Sequence, residues 1–168
     1  MRGHLLRLLG LLGGLVALPA WALTWQATVV HVGDGDTLYV RAEGELRSVA
    51  VRLLGIDAPE ICQDGGQAAR QALVDIALHQ RVTLVGVGQD VYGRELARVF
   101  LHGQDLGRQL VALGLAWSQG LGRSAGPYAR EQAEARAAQR GLFAQTWPQM
   151  PHDFRLQHGS CHATPPGP

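Results

Sequence analysis

The chain contains no lysine, and all 15 of its basic residues are arginine. Those arginines face 14 acids, for a net charge of +1, so no excess of positive charge is available. A protein that coats nucleic acid through bulk charge is therefore excluded, and any phosphate recognition must come from a few placed arginines. Cysteine is also scarce, with only Cys62 and Cys161. No internal repeat appears, which removes the solenoid and array architectures. Long hydrophobic runs are missing outside the first residues.

What is there begins with MRGHLLRLLGLLGGLVALPAWA, which joins a basic start (Arg2, Arg7) to an apolar run from Leu8 to Leu18 and a small-x-small end at Ala20-Trp21-Ala22. This is the pattern of an export signal over residues 1–22, cleaved near Ala22. The run is shorter than the roughly 20 residues of a membrane span, and a retained anchor is the alternative. The expectation is a periplasmic or secreted chain, with no membrane association after signal removal and a monomeric state. Without Arg2 and Arg7, 13 arginines face 14 acids, a net charge of −1. An oxidising compartment makes a Cys62–Cys161 disulfide the expected pairing, with two free thiols as the alternative. It would tie the C-terminal tail to the segment just after Glu60.

Periodicity orders the rest. LTWQATVVHV, TLYVRAE and GELRSVAVRLLGI read as three strands with short connections, the second and third forming a hairpin. DGGQAARQALVDIALHQ changes to helical spacing, with Ala69, Leu73, Ile76 and Ala77 on one face and a start at Asp64 or Gly65. RVTLVGV and ELARVFLH return to strand. DLGRQLVALGLA is a helix capped near Asp105, with Leu106, Leu110 and Leu113 on one side. YAREQAEARAAQRG is a charged helix with Ala133 and Ala137 as its small face and Gly141 as its stop. The segment from Pro148 onward has poor periodicity and reads as a solvated tail; His152, His158 and His162 show no fixed ligand spacing. The predicted class is α+β, a five-stranded OB-fold β-barrel with three flanking α-helices. The domain would span residues 23–145, and residues 146–168 would be a C-terminal extension.

Three short stretches carry chemistry: DGDT (34–37), VRLLGIDAPE (51–60) and DVYGREL (90–96). Each alone has a plain reading as a turn, a loop start or a hairpin tip. Together they resemble the staphylococcal nuclease family over roughly residues 30–144. The resemblance rests on Asp34-Gly35-Asp36-Thr37, then Arg52 through Glu60, then Tyr92-Gly93-Arg94 with Leu96-Ala97, in order and at compatible spacing. LVALGLAW and EQAEARAAQRGLF look like the family's last two helices.

That resemblance implies a calcium-dependent phosphodiesterase acting on DNA and RNA, which cuts at the 5′-oxygen side and leaves 3′-phosphate ends. It implies Asp36 and Asp57 as carboxylate ligands of Ca2+, with the backbone carbonyl at Ala58 as a further ligand. It implies Glu60 as general base or water-orienting group, Arg52 and Arg94 as the phosphate-binding pair, and Tyr92 as a substrate contact. The residue chemistry agrees: an oxygen-only set suits a hard cation, and the absence of a nearby Cys or His pair disfavours zinc. Arginine presents a planar, permanently charged fork to phosphate oxygens.

Strand geometry adds one condition. Strict alternation puts Arg52 and Asp57 on opposite faces of a strand, so their convergence predicts a break at Gly55 or at the turn into Pro59. The chain also departs from the family pattern. Val91 stands where a well-known member of the family carries a lysine, and the WSQGLGRSAGPY loop lacks a tyrosine-rich wall. Trp117, Arg123 and Tyr128 are candidates to replace that wall, with core packing the alternative for Trp117. Two other readings compete with a nuclease: a catalytically silent OB barrel that binds nucleic acid, and an envelope module that binds glycans or proteins.

Overall fold

A computed structural model of the chain describes residues 23–120, 122, 124–159 and 161. The export signal expected over residues 1–22, Arg123 and His162 lie outside the described residues. Strands β1 (Leu23–Val32), β2 (Thr37–Ala42) and β3 (Val49–Leu53) form an antiparallel meander. A short β4 (Ile56–Asp57) leads into helix α1 (Gly66–Ala77). Strands β5 (Arg81–Gln89) and β6 (Glu95–Leu101) come next as a hairpin. β5 pairs with β1, and β6 pairs in parallel with β3, which closes the five long strands β1, β2, β3, β5 and β6 into a barrel. The α+β OB-fold class expected from the sequence is thereby found.

The remaining elements are β7 (Gln104–Asp105), α2 (Leu106–Ala112), β8 (Trp117–Ser118), α3 (Ala129–Ala137), a 3-10 turn at Gly141–Ala144, and α4 (Pro151–His158). Among the described residues four α-helices stand where three were expected. The additional one is α4, in the segment read as a solvated tail. Its eight residues are too few to reveal a period, but Pro151 at its first turn, Asp153 near its start and Gly159 just past its end are ordinary helix punctuation.

The barrel interior comes from alternate strand residues, with a phase change in β1. Ala27 and Val29 point inward, but the next inward residue is Val32, because the register with β2 shifts between Val29 and His31. Such a bulge bends the strand and re-aims the chain beyond it, here the loop carrying Asp34 and Asp36. Leu38, Val40, Val51, Leu53, Leu84 and Val99 fill the barrel, and Leu73 of α1 and Leu110 of α2 close its ends. Each fully buried leucine contributes roughly 1.5–3 kcal/mol of transfer free energy.

The helices match their expected faces in part. On α1 the buried residues Ala69, Leu73 and Ala77 repeat every four positions, with Ile76 half-buried beside them. On α2, Leu106 and Leu110 are buried but Leu113 is largely exposed, because the helix ends at Ala112. On α3 the buried small residue is Ala135; Ala133 and Ala137 both face solvent. Asp105 caps α2, its side chain accepting from the Arg108 N–H. It also accepts from the Tyr128 hydroxyl at 2.9 Å and from Arg98 at 2.6 Å. Burial, followed by the bond to Asp105, pushes the Tyr128 phenol up to about 12.

Candidate active site

The site is built where three strands meet at one end of the barrel. β2 begins at Thr37, opposite Arg52 near the end of β3, because the two strands run antiparallel. β6 lies parallel on the other side of β3 with Leu96 opposite Arg52, so Arg94 sits just ahead of that pair. Asp36, Arg52 and Arg94 are therefore neighbours through register alone.

The anticipated break in the chain after Arg52 is present. β3 ends at Leu53, Gly55 takes φ +84°, and Ile56-Asp57 leaves the barrel to pair with Trp117-Ser118. A side chain at Gly55 would also strike Pro127, its Cβ only 2.6 Å from the proline Cγ. This reversal returns Asp57 to Arg52: Nη2 donates to Asp57 Oδ1 at 3.0 Å, while Nη1 donates to the Ile56 carbonyl at 2.9 Å and meets Asp36 Oδ2 at 2.9 Å. One guanidinium thus bridges two carboxylates.

Asp36 is held from several directions. The Ala58 N–H donates to its Oδ2 at 2.8 Å, and the Thr37 hydroxyl donates to its Oδ1 at 3.3 Å. Gly35 allows this packing, since a Cβ there would lie 2.6 Å from the Ala69 Cβ and 2.7 Å from the Ala58 Cβ. Asp36 is 6% exposed. Burial, together with the negative Asp34 and Asp57 and against the pull of Arg52, pushes its carboxyl up to about 7. A buried acid this costly to ionise favours an added cation beside it. The donors there, Asp36 and Asp57 with the backbone of Ala58, are oxygens, a chemistry that fits a hard divalent ion, with both oxygens of Asp57 held by arginine in this structure. Among the described residues no group of three His, Cys, Asp or Glu side chains is arranged as a ready ligand cluster.

Arg94 and Tyr92 come from the β5–β6 turn. Asp90 organises that turn, accepting from the Tyr92 N–H, the Arg94 N–H and Arg94 Nε at 2.9, 3.0 and 2.7 Å. Slight burial of Asp90 works against those bonds, but they prevail and hold its carboxyl below the usual range. Arg94 lies over the Tyr92 ring at 5.4 Å, and Tyr92 is 81% exposed at the rim. Glu60 lies just after Pro59 in the turn before α1, where the Gln63 N–H donates to its carbonyl at 2.8 Å.

A cleft of about 550 Å³ is lined by Asp36, Arg52, Ala58, Glu60, Tyr92 and Arg94, six of the seven residues singled out for this site. The seventh, Asp57, is 2% exposed and lies behind the wall, in contact through Arg52. Trp117 and Tyr128 do not line it. Both are buried, Trp117 edge-on against Phe143 and Tyr128 on Asp105, so neither replaces the missing tyrosine wall.

One charged lining residue was not anticipated. Arg155, on α4, places Nη1 2.9 Å from Glu60 Oε1 and Nη2 3.1 Å from Asp57 Oδ2. Partial burial works against its charge, but the bonds to Asp57 and Glu60 outweigh it and raise its pKa. The helix is tied down by the Cys62–Cys161 disulfide, whose Cα atoms are 5.8 Å apart.

Comparison with known proteins agrees with this construction. The pattern of the staphylococcal nuclease homologues matches residues 50–145. The chain belongs to the staphylococcal nuclease family. An uncharacterised endonuclease of Haemophilus influenzae is 36% identical over 129 residues, covering 77% of this chain and 72% of that protein. The micrococcal nuclease of Shigella flexneri is 35% identical over 153 residues, covering 84% and 86%. A probable staphylococcal-like nuclease of rice is 33% identical over 109 residues, covering 65% of this chain but 30% of its own length. Membership in this nuclease family makes the chain a hydrolase acting on nucleic acids, on an OB-fold scaffold.

Proposed function

We propose that the chain is an exported, monomeric, calcium-dependent nuclease that cuts DNA and RNA on the 5′-oxygen side and leaves 3′-phosphate ends. The observation that carries this reading is the shared cleft of Arg52, Arg94, Glu60 and Asp36, the arginines and Asp36 brought together by strand register and Glu60 by the turn before α1. Export is supported by the basic and apolar start of the sequence and by a disulfide linking Cys62 to Cys161. Among the described residues, no helix is long and apolar enough to cross a membrane.

In this reading Asp36, Asp57 and the Ala58 carbonyl hold the calcium ion, which when bound supplies Lewis acidity toward the phosphate. Arg52 and Arg94 orient the phosphodiester and share the negative charge that grows on its oxygens during attack. Glu60 orients a water and takes its proton. The water oxygen bonds to phosphorus, the P–O5′ bond breaks, and the 5′ oxygen gains a proton. Tyr92, exposed beside Arg94, offers a ring on which a base can stack. Val91 at the tip is apolar and 93% exposed, so it offers substrate phosphate no cationic contact there.

Plasmid digestion tests the proposal. Purified protein with calcium should convert supercoiled DNA to fragments, and a chelator should stop it. Retarded but uncut DNA would select a binding protein instead.

A further inference from the structure

The fold leaves α4 unexplained: it lies beyond the barrel, yet it is fastened at both ends to one short turn. Gln63 Nε2 donates to the Gln149 carbonyl at 2.7 Å just before α4, and Pro151 at its start is buried. Cys161, just past its end, is bonded to Cys62. Both anchors, Cys62 and Gln63, sit two and three residues after Glu60. Gln63 also accepts from the Glu60 N–H through its Oε1 at 3.2 Å, so one buried amide links the Glu60 backbone to the entry of α4.

Between these anchors Arg155 reaches the Glu60 carboxylate, and among the described residues it is the side chain that donates a hydrogen bond to it. Its fork holds Glu60 Oε1 while engaging both oxygens of Asp57. In the proposed mechanism the other Glu60 oxygen, Oε2, is the one that meets the water. A carboxylate on two rotatable bonds beyond Cβ needs such a tether to keep one orientation, and an error of about 1 Å in a reacting group costs on the order of 100-fold.

We propose that Arg155 is a positioning residue for Glu60, and that the C-terminal helix fastened by Cys62–Cys161 and Gln63 is the device that delivers it. This rests on the reading of Glu60 as the group that activates water.

The test uses the full chain, oxidised, with calcium and a duplex oligonucleotide. Arg155→Gln should lower kcat by about 10- to 100-fold with KM within about threefold of the parent. Arg155→Lys, which keeps the charge but loses the fork, should fall between the two, and it serves if the glutamine variant does not fold. Millimolar guanidinium should restore part of the rate of Arg155→Ala but none of the rate of Glu60→Gln. In a Cys62→Ser/Cys161→Ser background, Arg155→Gln should cost less than in the parent, because the helix is already loosened. Unchanged kcat in both the Gln and Lys variants overturns the proposal. So does raised KM at unchanged kcat, which makes Arg155 a phosphate contact, or tighter calcium activation with a faster rate, which makes it a latch. Failure of Glu60→Gln to slow the parent overturns the role of Glu60 and this inference together. An inert parent overturns the nuclease reading itself.

Discussion

Arg52 and Arg155 grip the same carboxylate of Asp57, but through two different kinds of support. Arg52 belongs to a barrel strand whose register is set on both sides, by Thr37 in β2 and Leu96 in β6. To displace it, the barrel must open. Arg155 belongs to an eight-residue helix held by a disulfide, one amide hydrogen bond and one buried proline. Such a helix can detach while the barrel stays closed, because local opening requires less than global unfolding. The floor of the cleft is therefore as stable as the fold, whereas its C-terminal wall is as stable as its fastenings.

The sharpest way to break that contrast is at Arg52. Arg52→Gln should reduce the cleavage rate by about 1000-fold. It should also cost about 3–5 kcal/mol of stability, because Asp36 and Asp57 lose the cation that bridges them. Urea unfolding alongside the rate measurement checks both.

The second test loosens the wall first. Cys62→Ser/Cys161→Ser opens a loop with a sequence separation of 99 residues, and should lower stability by about 4–5 kcal/mol in the chain-entropy account. Amide exchange should rise over 152–158 well before it rises in β3 or β6. Equal loss of protection in both would erase the distinction between floor and wall.

A third test concerns charge in the floor. Asp36 titrates at about 7 rather than near 3.8, so between those values the folded chain holds a proton that the unfolded chain has released. Its contribution to stability therefore falls as pH rises through that window and levels off above about 7. A bound cation reverses this, because it requires the ionised carboxylate. Calcium should bind roughly 10- to 100-fold more weakly at pH 5 than at pH 7.5, measured by calorimetry. Affinity independent of pH would separate Asp36 from the cation.

The smallest effect belongs to Tyr128→Phe, which does not line the cleft. Loss of the hydroxyl bond to Asp105 should cost about 1 kcal/mol and leave the rate unchanged. A large loss of rate would mean that the α2 cap helps to shape the site.

The same contrast explains what could be read in the sequence. The barrel was legible because its strands alternate and its turns carry glycine, and the β1 boundaries agree with the observed Leu23–Val32. The break after Arg52 was legible from the mismatch between period two and the five-residue gap to Asp57. The bulge at Val29–His31 was not, since it depends on how β1 pairs with β2 rather than on local residue types. Leu113 and Ala133 misled because a helical period says which residues share a face, not where the helix stops or which face is covered. Arg155 was hidden by the shortness of its helix and by a composition typical of tails. The usable signal was Cys161, which, if paired with Cys62, must bring the tail beside Glu60.

The most direct measurement of the central claim is the calcium-dependent cleavage rate of Glu60→Gln against the parent chain, with both shown to be folded and oxidised. A loss of about 100- to 10,000-fold is predicted, because in the proposed mechanism Asp36 and Asp57 serve the ion, and Asp34, which also lines the cleft, already accepts from the Asp36 N–H at 3.0 Å. A rate within about threefold of the parent would contradict the account.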